Sequence, residues 1–303
     1  MINIPIIVGP TSCGKTNLAL NICNQTGWQI VSADSRQIYK YMDIGTGKVP
    51  VGENRKVEKY DQCWKIDDVT IWGYDLITPD KFYSSYDFAV FALNKINDLL
   101  KKKITPIVVG GTGFYIDVLT KRVNLQGVEP DFELRKKLEV IGTDDLLVKL
   151  KELNLARYNS IDRNNRARLV RAVEIELNKN SPPKTLPELS SQINYKMYGL
   201  TSDRPAFYAR VDSWVDVIFS NGLIEETQSL LDRYQLSPKL SGLIYGSVVG
   251  YLTKKLSLTD ALQRCKYDLH AYIRRQQTYF KKNPDILWFD ISDTNSLKNL
   301  VLS

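Results

Sequence analysis

The feature that most constrains this sequence is residues 9–16, which read Gly9-Pro10-Thr11-Ser12-Cys13-Gly14-Lys15-Thr16. This stretch fits the pattern GxxxxGK[ST] of a P-loop. It follows a short apolar run, residues 4–8, and precedes residues 17–24, whose apolar side chains recur at helical spacing. Strand, glycine-rich loop and helix are the context that supports the motif, so the sequence predicts a phosphate-binding loop at the start of a helix.

The P-loop predicts phosphate binding without identifying the phosphate compound. Backbone N–H groups of the loop bind phosphate oxygens, Lys15 adds a positive charge, and the Thr16 hydroxyl is a candidate ligand for Mg²⁺. Any pyrophosphate ester presents the same oxygens, so phosphoryl transfer does not follow. The apolar run 106–109 ends in Gly110-Gly111-Thr112-Gly113, where an ATP hydrolase usually has an aspartate. This difference argues against ATP hydrolysis.

Strand and helix patterns alternate along the chain and predict an α/β fold. Apolar runs at residues 29–31 and 104–109 each end in a polar turn, and residues 88–100 have helical spacing between them. Such alternation indicates a parallel sheet with its ligand site at the carboxyl ends of the strands. We predict a P-loop NTPase-like parallel sheet core, residues 1–117 and 195–303, with an inserted helical subdomain at residues 118–194.

Composition limits the classes of protein that fit. The chain has 303 residues, 43% hydrophobic and 25% charged, and no apolar run approaches the roughly 20 residues of a membrane span. We expect no membrane association and a cytoplasmic location, since the first residues lack the pattern of a signal peptide. Four scattered cysteines and one histidine argue against a disulfide framework or a zinc site. The net charge of +7 is equally compatible with a polyanionic partner and with solubility alone.

Asp34 follows the predicted strand at residues 29–31 and is a candidate functional residue. In a parallel sheet its carboxylate would face a ligand bound at Lys15. An aspartate at this position is equally well explained as the cap of a following helix.

Three further ordered blocks carry a resemblance to a known family. Together with the P-loop they resemble the tRNA dimethylallyltransferases, and later segments are similar to further blocks of that family over nearly the whole chain. The first blocks are Ser32-Ala33-Asp34-Ser35-Arg36-Gln37-Ile38-Tyr39, Asp43-Ile44-Gly45-Thr46-Gly47-Lys48 and Val109-Gly110-Gly111-Thr112-Gly113-Phe114-Tyr115. The later ones are Arg168-Leu169-Val170-Arg171-Ala172-Val173-Glu174, Asp203-Arg204 with Arg210, Gly222-Leu223-Ile224-Glu225-Glu226 and Arg274-Arg275-Gln276-Gln277-Thr278-Tyr279-Phe280.

The resemblance implies an activity and a set of catalytic residues. The family transfers a dimethylallyl group from dimethylallyl diphosphate to the exocyclic amine of the adenosine 3′ of the anticodon, in tRNAs that read codons beginning with U. It uses Mg²⁺ and no ATP, so the P-loop, residues 9–16, would hold the leaving diphosphate. Asp34 matches the general base. The groups that match diphosphate binding are Lys15, Thr16 with Mg²⁺, Thr112 and Arg204, with Arg210 as a weaker candidate.

The resemblance also implies a tRNA-binding surface on a chain that we expect to be a monomer. Solvated helix faces that contact no RNA are the alternative for the basic members. The residues expected to contact tRNA are Asp34, Ser35, Arg36, Gln37, Thr112, Arg135, Arg168, Arg171 and Tyr245. Two blocks depart from the family pattern: Trp72-Gly73-Tyr74-Asp75 replaces a histidine pair, and Ile244-Tyr245-Gly246-Ser247 replaces GYKE.

Three alternatives share part of this pattern. A small-molecule or nucleoside kinase would also have a P-loop, an acidic residue after the second strand and a helical lid. A tRNA-binding relative without catalysis would keep the basic helices but not need Lys15, Thr16, Asp34 and Thr112. An enzyme that prenylates free adenine nucleotide would not need the inserted helical unit.

Overall fold

The computed structural model of the chain describes residues 2–50, 55–125, 127–180, 184–189, 192–235 and 237–302. They form two compact units. The first comprises Met1–Val123 and Pro187–Ser303, and the second comprises Asn124–Leu186. The second unit is narrower than the predicted insertion, residues 118–194. Its limits differ because the helix Gly113–Leu119 and the strand Ile193–Thr201 belong to the first unit.

The first unit contains a single sheet of eight strands in the described residues. The strands are β1 (Ile2–Val8), β2 (Gln29–Ser32), β3 (Val57–Tyr60), β4 (Cys63–Ile66), β5 (Val69–Trp72), β6 (Pro106–Gly110), β7 (Ile193–Thr201) and β8 (Ile286–Asp290). Their order is β3-β4-β5-β2-β6-β1-β7-β8. All neighbouring pairs are parallel except β3 with β4 and β4 with β5. The predicted mostly parallel sheet is confirmed.

The described residues also form twelve α-helices. They are α1 (Lys15–Thr26), α2 (Ser85–Lys101), α3 (Gly113–Leu119), α4 (Phe132–Glu139), α5 (Thr143–Leu153), α6 (Leu155–Ser160), α7 (Arg166–Leu177), α8 (Arg204–Ser220), α9 (Leu223–Tyr234), α10 (Leu243–Leu252), α11 (Leu258–Phe280) and α12 (Thr294–Leu302). Helices α4 to α7 make up the second unit, and its core of leucines and valines includes Leu146, Leu150 and Leu169. Residues 4–8 of β1 are entirely buried, as expected for a parallel strand covered on both faces.

The strands β3, β4 and β5 were not predicted from the sequence. Each has only four residues, so none offers a long alternating pattern. They are joined by tight turns in which Gln62 has φ 66° and Asp67 has φ 52°. Turns with positive φ are usually marked by glycine or asparagine, and neither residue occurs here.

The direction of the sheet determines where ligands can bind. Strands β1, β2 and β6 are parallel neighbours, so their carboxyl ends lie at the same edge. The P-loop follows β1, the turn with Asp34 follows β2, and the turn Gly110-Gly111-Thr112-Gly113 follows β6. These three segments meet as predicted for a parallel α/β fold.

Candidate active site

The P-loop connects β1 to α1 and places Lys15 at the first position of the helix. Gly14 precedes it with φ 90°, a left-handed conformation that favours glycine. The Lys15 Nζ donates a hydrogen bond to the Pro10 carbonyl at 2.5 Å and lies 3.6 Å from the Cys13 Sγ. The ammonium group is therefore folded over the loop, beside the positive end of α1 where anions bind.

The turns after β2 and β6 are held together by hydrogen bonds. Thr112 Oγ1 accepts from the Ser35 N–H at 2.9 Å and donates to the Ser35 Oγ at 3.2 Å. The backbone N–H of Thr112 also donates to the Ala33 carbonyl at 3.3 Å. The approach requires glycine at position 110, because a Cβ there would lie 2.1 Å from the Ala33 carbonyl oxygen. Thr112 thus fixes the position of the Asp34-Ser35 turn.

Gln276, on α11, joins the same turn to the P-loop. Its side chain is buried; its Oε1 accepts from the Thr11 N–H at 2.9 Å, and its Nε2 donates to the Gly111 carbonyl at 2.9 Å. Nothing in the local sequence distinguishes Gln276 from its neighbour Gln277. In the sequence, Gln276 stands out only as a member of the family block Arg274-Arg275-Gln276-Gln277-Thr278-Tyr279-Phe280.

The backbone of the turn after β2 orients the Asp34 carboxylate. Its Oδ1 accepts a hydrogen bond from the Arg36 N–H at 2.9 Å, which is the geometry of a turn rather than of a helix cap. The Arg36 guanidinium donates to the Lys239 carbonyl at 3.0 Å. Gln37 is buried, and its amide binds the Ser32 hydroxyl and the carbonyls of Thr46 and Gly47.

A cavity of about 500 Å³ opens between these segments. Lys15 and Thr16 line one side, Asp34 and Gln37 line another, and α8 contributes a further wall. Apolar side chains also line the cavity, namely Val49, Pro50, Val109, Ala209 and Trp214. The cavity therefore joins a phosphate loop, a carboxylate and an apolar surface.

The two arginines predicted near the diphosphate differ in position. Arg210 lines the cavity, its Nε donates to the Ser12 carbonyl at 3.2 Å, and its Nη2 lies near Gly14. Arg204 is the first residue of α8, is exposed and is not among the residues that line the cavity. The structure thus favours Arg210, the weaker candidate from sequence, over Arg204 as a ligand of phosphate at the P-loop.

Tyr245 lies inside the first unit rather than on its surface. It is 2% exposed, and its hydroxyl donates to Glu226 Oε1 at 2.7 Å. Burial and the neighbouring Glu226 carboxylate raise the pKa of Tyr245 well above its ordinary value. Glu226 also accepts hydrogen bonds from the backbone N–H groups of Asp43, Ile44 and Gly45 at 2.7–3.1 Å. Tyr245 therefore supports the loop at residues 43–48 from the core, and its contact with tRNA stays a prediction.

A buried lysine holds the other end of that loop. The Lys48 side chain is fully buried, and its Nζ contacts the Tyr39 carbonyl at 2.7 Å, Asp43 at 2.7 Å and Asp75 at 2.5 Å. Asp75 Oδ2 accepts from the Trp64 Nε1 at 2.7 Å. The ammonium charge is thus balanced by two carboxylates, as a buried charge requires.

In the second unit, two of the three predicted tRNA-binding arginines bind a buried glutamate. Glu174 is fully buried and accepts from Arg135 at 2.9 Å and from Arg171 at 2.6 Å. Arg171 also donates to the Val128 carbonyl at 2.6 Å. Arg168 is exposed on α7. Arg135 and Arg171 thus support the helical unit through Glu174, and Arg168 is the exposed one of these three arginines. Their contact with tRNA stays a prediction.

The described residues contain no group of three or more histidine, cysteine, aspartate or glutamate side chains that could hold a metal ion. Thr16 lines the cavity beside Lys15. Mg²⁺ retains several waters and is commonly bound by one or two protein oxygens together with substrate phosphates. The Thr16 hydroxyl fits such a site without a carboxylate cluster. Among the described helices, none is long and apolar enough to span a membrane.

The fold and the cavity define a class: an α/β protein with a P-loop at the edge of a parallel sheet and a carboxylate in the same cavity. A sequence profile of the IPP transferase family matches residues 37–283. The chain belongs to this family. A tRNA dimethylallyltransferase of Acetivibrio thermocellus is 37% identical, with 99% of this chain and 96% of the relative aligned. One of Clostridioides difficile is 33% identical over 99% of this chain and 96% of the relative.

Solved structures agree with the family assignment. The full-length tRNA isopentenylpyrophosphate transferase of Bacillus halodurans is 28% identical and superimposes with a TM-score of 0.70, covering 100% of this chain and 96% of that one. A eukaryotic dimethylallyltransferase, studied while acting on tRNA, has a TM-score of 0.74 over 97% of this chain and 75% of that one. It is 22% identical, so its likeness concerns the fold. The family is one of prenyltransferase enzymes, and the kinase alternative is not supported.

Proposed function

We propose that this protein transfers a dimethylallyl group from dimethylallyl diphosphate to the exocyclic amine of the adenosine 3′ of the anticodon, in tRNAs that read codons beginning with U. The curated relatives are named for dimethylallyl transfer to tRNA. The observation that carries the proposal is that the P-loop lysine, the Asp34 carboxylate and an apolar wall all line one cavity. A prenyl diphosphate needs the lysine for its phosphates and the apolar wall for its prenyl group. An amine nucleophile needs the carboxylate as a base.

The diphosphate is assigned to the start of α1. The Thr11 N–H already binds Gln276, so the phosphate oxygens are assigned to the amides nearer the helix, where the dipole favours an anion. Lys15 and Arg210 line the cavity at this point and supply two positive charges. Both would stabilise the charge that develops on the departing diphosphate. The Thr16 hydroxyl would hold Mg²⁺ at this point, and the ion would supply further positive charge for the leaving group.

Asp34 is assigned as the base that accepts a proton from the nucleophile. An adenine amine is a weak nucleophile because its lone pair is delocalised into the ring. As the amine nitrogen bonds to C1 of the dimethylallyl group, the bond from C1 to the diphosphate oxygen breaks, and Asp34 accepts one amine proton. The hydrogen bond from the Arg36 N–H uses Oδ1 and orients the carboxylate within the cavity wall.

Thr112 is assigned a positioning role, in contrast to the diphosphate contact that the resemblance implies. Its hydroxyl accepts a hydrogen bond from the Ser35 N–H at 2.9 Å and donates one to the Ser35 Oγ at 3.2 Å. It is not among the residues that line the cavity. Its contribution is to hold the turn that carries Asp34.

The adenosine must leave its base stack to reach Asp34, as in other enzymes that modify bases. Ser35 and Arg36 follow Asp34 in the same turn and are assigned to the extruded nucleotide. The Gln37 amide donates hydrogen bonds to the carbonyls of Thr46 and Gly47. Gln37 would therefore act on the nucleotide through the loop at residues 43–48. Arg168 is assigned to a tRNA phosphate, which fixes position without reading sequence. A tRNA substrate supports the predicted cytoplasmic location.

The test is incubation with dimethylallyl diphosphate, Mg²⁺ and either unmodified tRNA or AMP, followed by mass analysis of the nucleosides. Prenylated adenosine in the tRNA sample alone supports the proposal. Product in the AMP sample alone would assign the chain to free nucleotide, and product in neither would refute prenyl transfer.

A further inference from the structure

The apolar wall of the active-site cavity includes Trp214, which lies four residues after Arg210 on α8. Residues four apart lie on the same face of a helix, separated by about 6 Å along its axis. Arg210 stands at the P-loop, so Trp214 lies about one helical turn along α8 from the arginine that is assigned to the diphosphate. That distance suits the four-carbon backbone of a dimethylallyl group and is too short for the eight-carbon backbone of a geranyl group.

The Trp214 indole is held in place from the opposite side by a fixed loop. A Cβ added to Gly47 would lie 3.3 Å from the Trp214 Cζ2, so the ring packs directly on this glycine. The Gly47 carbonyl accepts a hydrogen bond from the buried Gln37 amide at 3.3 Å. The next residue, Lys48, is the fully buried lysine described above. The wall therefore resists displacement by a longer substrate.

Behind this wall lies a second cavity of about 560 Å³. Val49, Pro50 and Trp214 line both cavities, so their side chains form a partition between the two. On the far side the lining includes the apolar residues Ile44, Val57 and Ile218. An apolar chain that passed the partition would thus enter a second partly apolar space rather than the packed core.

We propose that Trp214 sets the length of the prenyl group by closing the apolar end of the active-site cavity, and that the second cavity accepts the distal isoprene unit of geranyl diphosphate once the indole is removed. This inference rests on the proposed prenyl transfer. The chemistry of the step is unchanged: the bond from C1 to the diphosphate oxygen breaks, the amine nitrogen bonds to C1, and the proton passes to Asp34. The only difference is the chain attached to C1.

The test compares dimethylallyl and geranyl diphosphate in wild type, Trp214→Phe and Trp214→Ala, with tRNA as acceptor and mass analysis of the product. One methylene in an apolar pocket changes specificity roughly 10- to 200-fold. We therefore expect the ratio of kcat/KM for geranyl over dimethylallyl diphosphate to rise by about tenfold or more in Trp214→Ala, with a smaller rise in Trp214→Phe.

Two further variants separate an opened wall from a loosened fold. Trp28→Ala removes a tryptophan that packs on the same core but lines neither cavity, so its ratio should equal that of wild type. Val57→Phe, combined with Trp214→Ala, fills the second cavity and should return the ratio toward wild type. The partition would be contradicted if the geranyl-to-dimethylallyl ratio rose in Trp28→Ala. It would also be contradicted if Val57→Phe did not lower the ratio of the Trp214→Ala variant.

Calorimetric titration of the two diphosphates without tRNA distinguishes failure of this inference from failure of the proposed function. If wild type binds and transfers dimethylallyl but the ratio is unchanged in both Trp214 variants, the partition is refuted and prenyl transfer stands. If wild type binds neither diphosphate, the proposed function fails as well. Should Trp214→Ala not fold, the smaller change in Trp214→Phe decides the question.

Discussion

Gln276 Oε1 accepts a hydrogen bond from the Thr11 N–H at 2.9 Å, although the two residues lie 265 positions apart in the chain. Because Gln276 Nε2 also binds the Gly111 carbonyl, one side chain fixes the distance between the P-loop and the turn after β6. Through Thr112 and Ser35, that turn positions Asp34. The diphosphate site and the base are thus connected by a continuous series of short contacts.

Replacing Gln276 by alanine should loosen this connection. Two hydrogen bonds of a buried side chain are lost, at a cost to folding of about 1–3 kcal/mol. We expect a higher KM for dimethylallyl diphosphate and a lower kcat, because both the P-loop and Asp34 lose a support. Steady-state kinetics with tRNA and urea unfolding measure the two effects. Gln277→Ala, the neighbouring substitution, is the control, and equal loss in both variants would contradict a specific role of Gln276.

Asp34→Asn should depress turnover by about 10²- to 10⁴-fold, the usual contribution of a positioned base. The asparagine oxygen can still accept the Arg36 N–H, so the turn is expected to persist. Diphosphate affinity, measured by calorimetry, should stay close to wild type. Unchanged turnover would remove Asp34 as the base, whereas loss of both turnover and affinity would indicate a structural role.

The arginines of α8 give a matched pair of equal charge. Hydrogen bonds to charged groups contribute about 1.5–3 kcal/mol, so Arg210→Ala should lower kcat/KM roughly 10- to 150-fold. Arg204→Ala removes the same charge from an exposed helix start and should change kcat/KM little. The ratio of the two effects is the measurement. A larger effect from Arg204 would support the assignment that the family resemblance implies and contradict the geometry.

Most of the fold was predictable because its signals are local. A strand, a P-loop and a helix follow one another within residues 2–26, and parallel strands bring their carboxyl ends together, so the meeting of Lys15 with Asp34 follows from topology. The roles of Gln276 and Trp214 were not predictable in this way. Each acts by contact with residues far away in sequence, and neither changes the local pattern of its helix.

The contacts of several predicted tRNA-binding residues depend on packing that the sequence does not show. The family resemblance implies tRNA contact for Tyr245, whose hydroxyl donates a hydrogen bond to Glu226 in the core. The resemblance implies the same contact for Arg135 and Arg171. A buried carboxylate, Glu174, engages both, and sequence does not show which arginines a buried acid will attract.

The second unit allows RNA binding and stability to be separated. Arg168→Ala should weaken tRNA binding and lower the slope of log affinity against log salt concentration by about one. The free energy of unfolding should stay unchanged. Arg135→Ala should instead destabilise the unit by about 1–3 kcal/mol, because Glu174 loses a charged partner. Filter binding at several salt concentrations and urea unfolding provide the two measurements. Equal tRNA affinity in Arg168→Ala and wild type would exclude Arg168 from the interface.

The cysteines should make folding stability sensitive to alkali. Burial raises the pKa of the Cys23 and Cys265 thiols from 9.0 to about 12. The folded state therefore keeps both protons where the unfolded chain releases them, so this contribution is complete below the unfolded pKa and is lost as the pH rises toward the folded pKa. Between about pH 7 and about pH 10.5, the urea midpoint of wild type should fall further than that of a Cys23→Ala/Cys265→Ala variant. Equal decreases of the urea midpoint in the two proteins would show that the thiols do not contribute. Other groups, such as the buried tyrosines, would then account for the change.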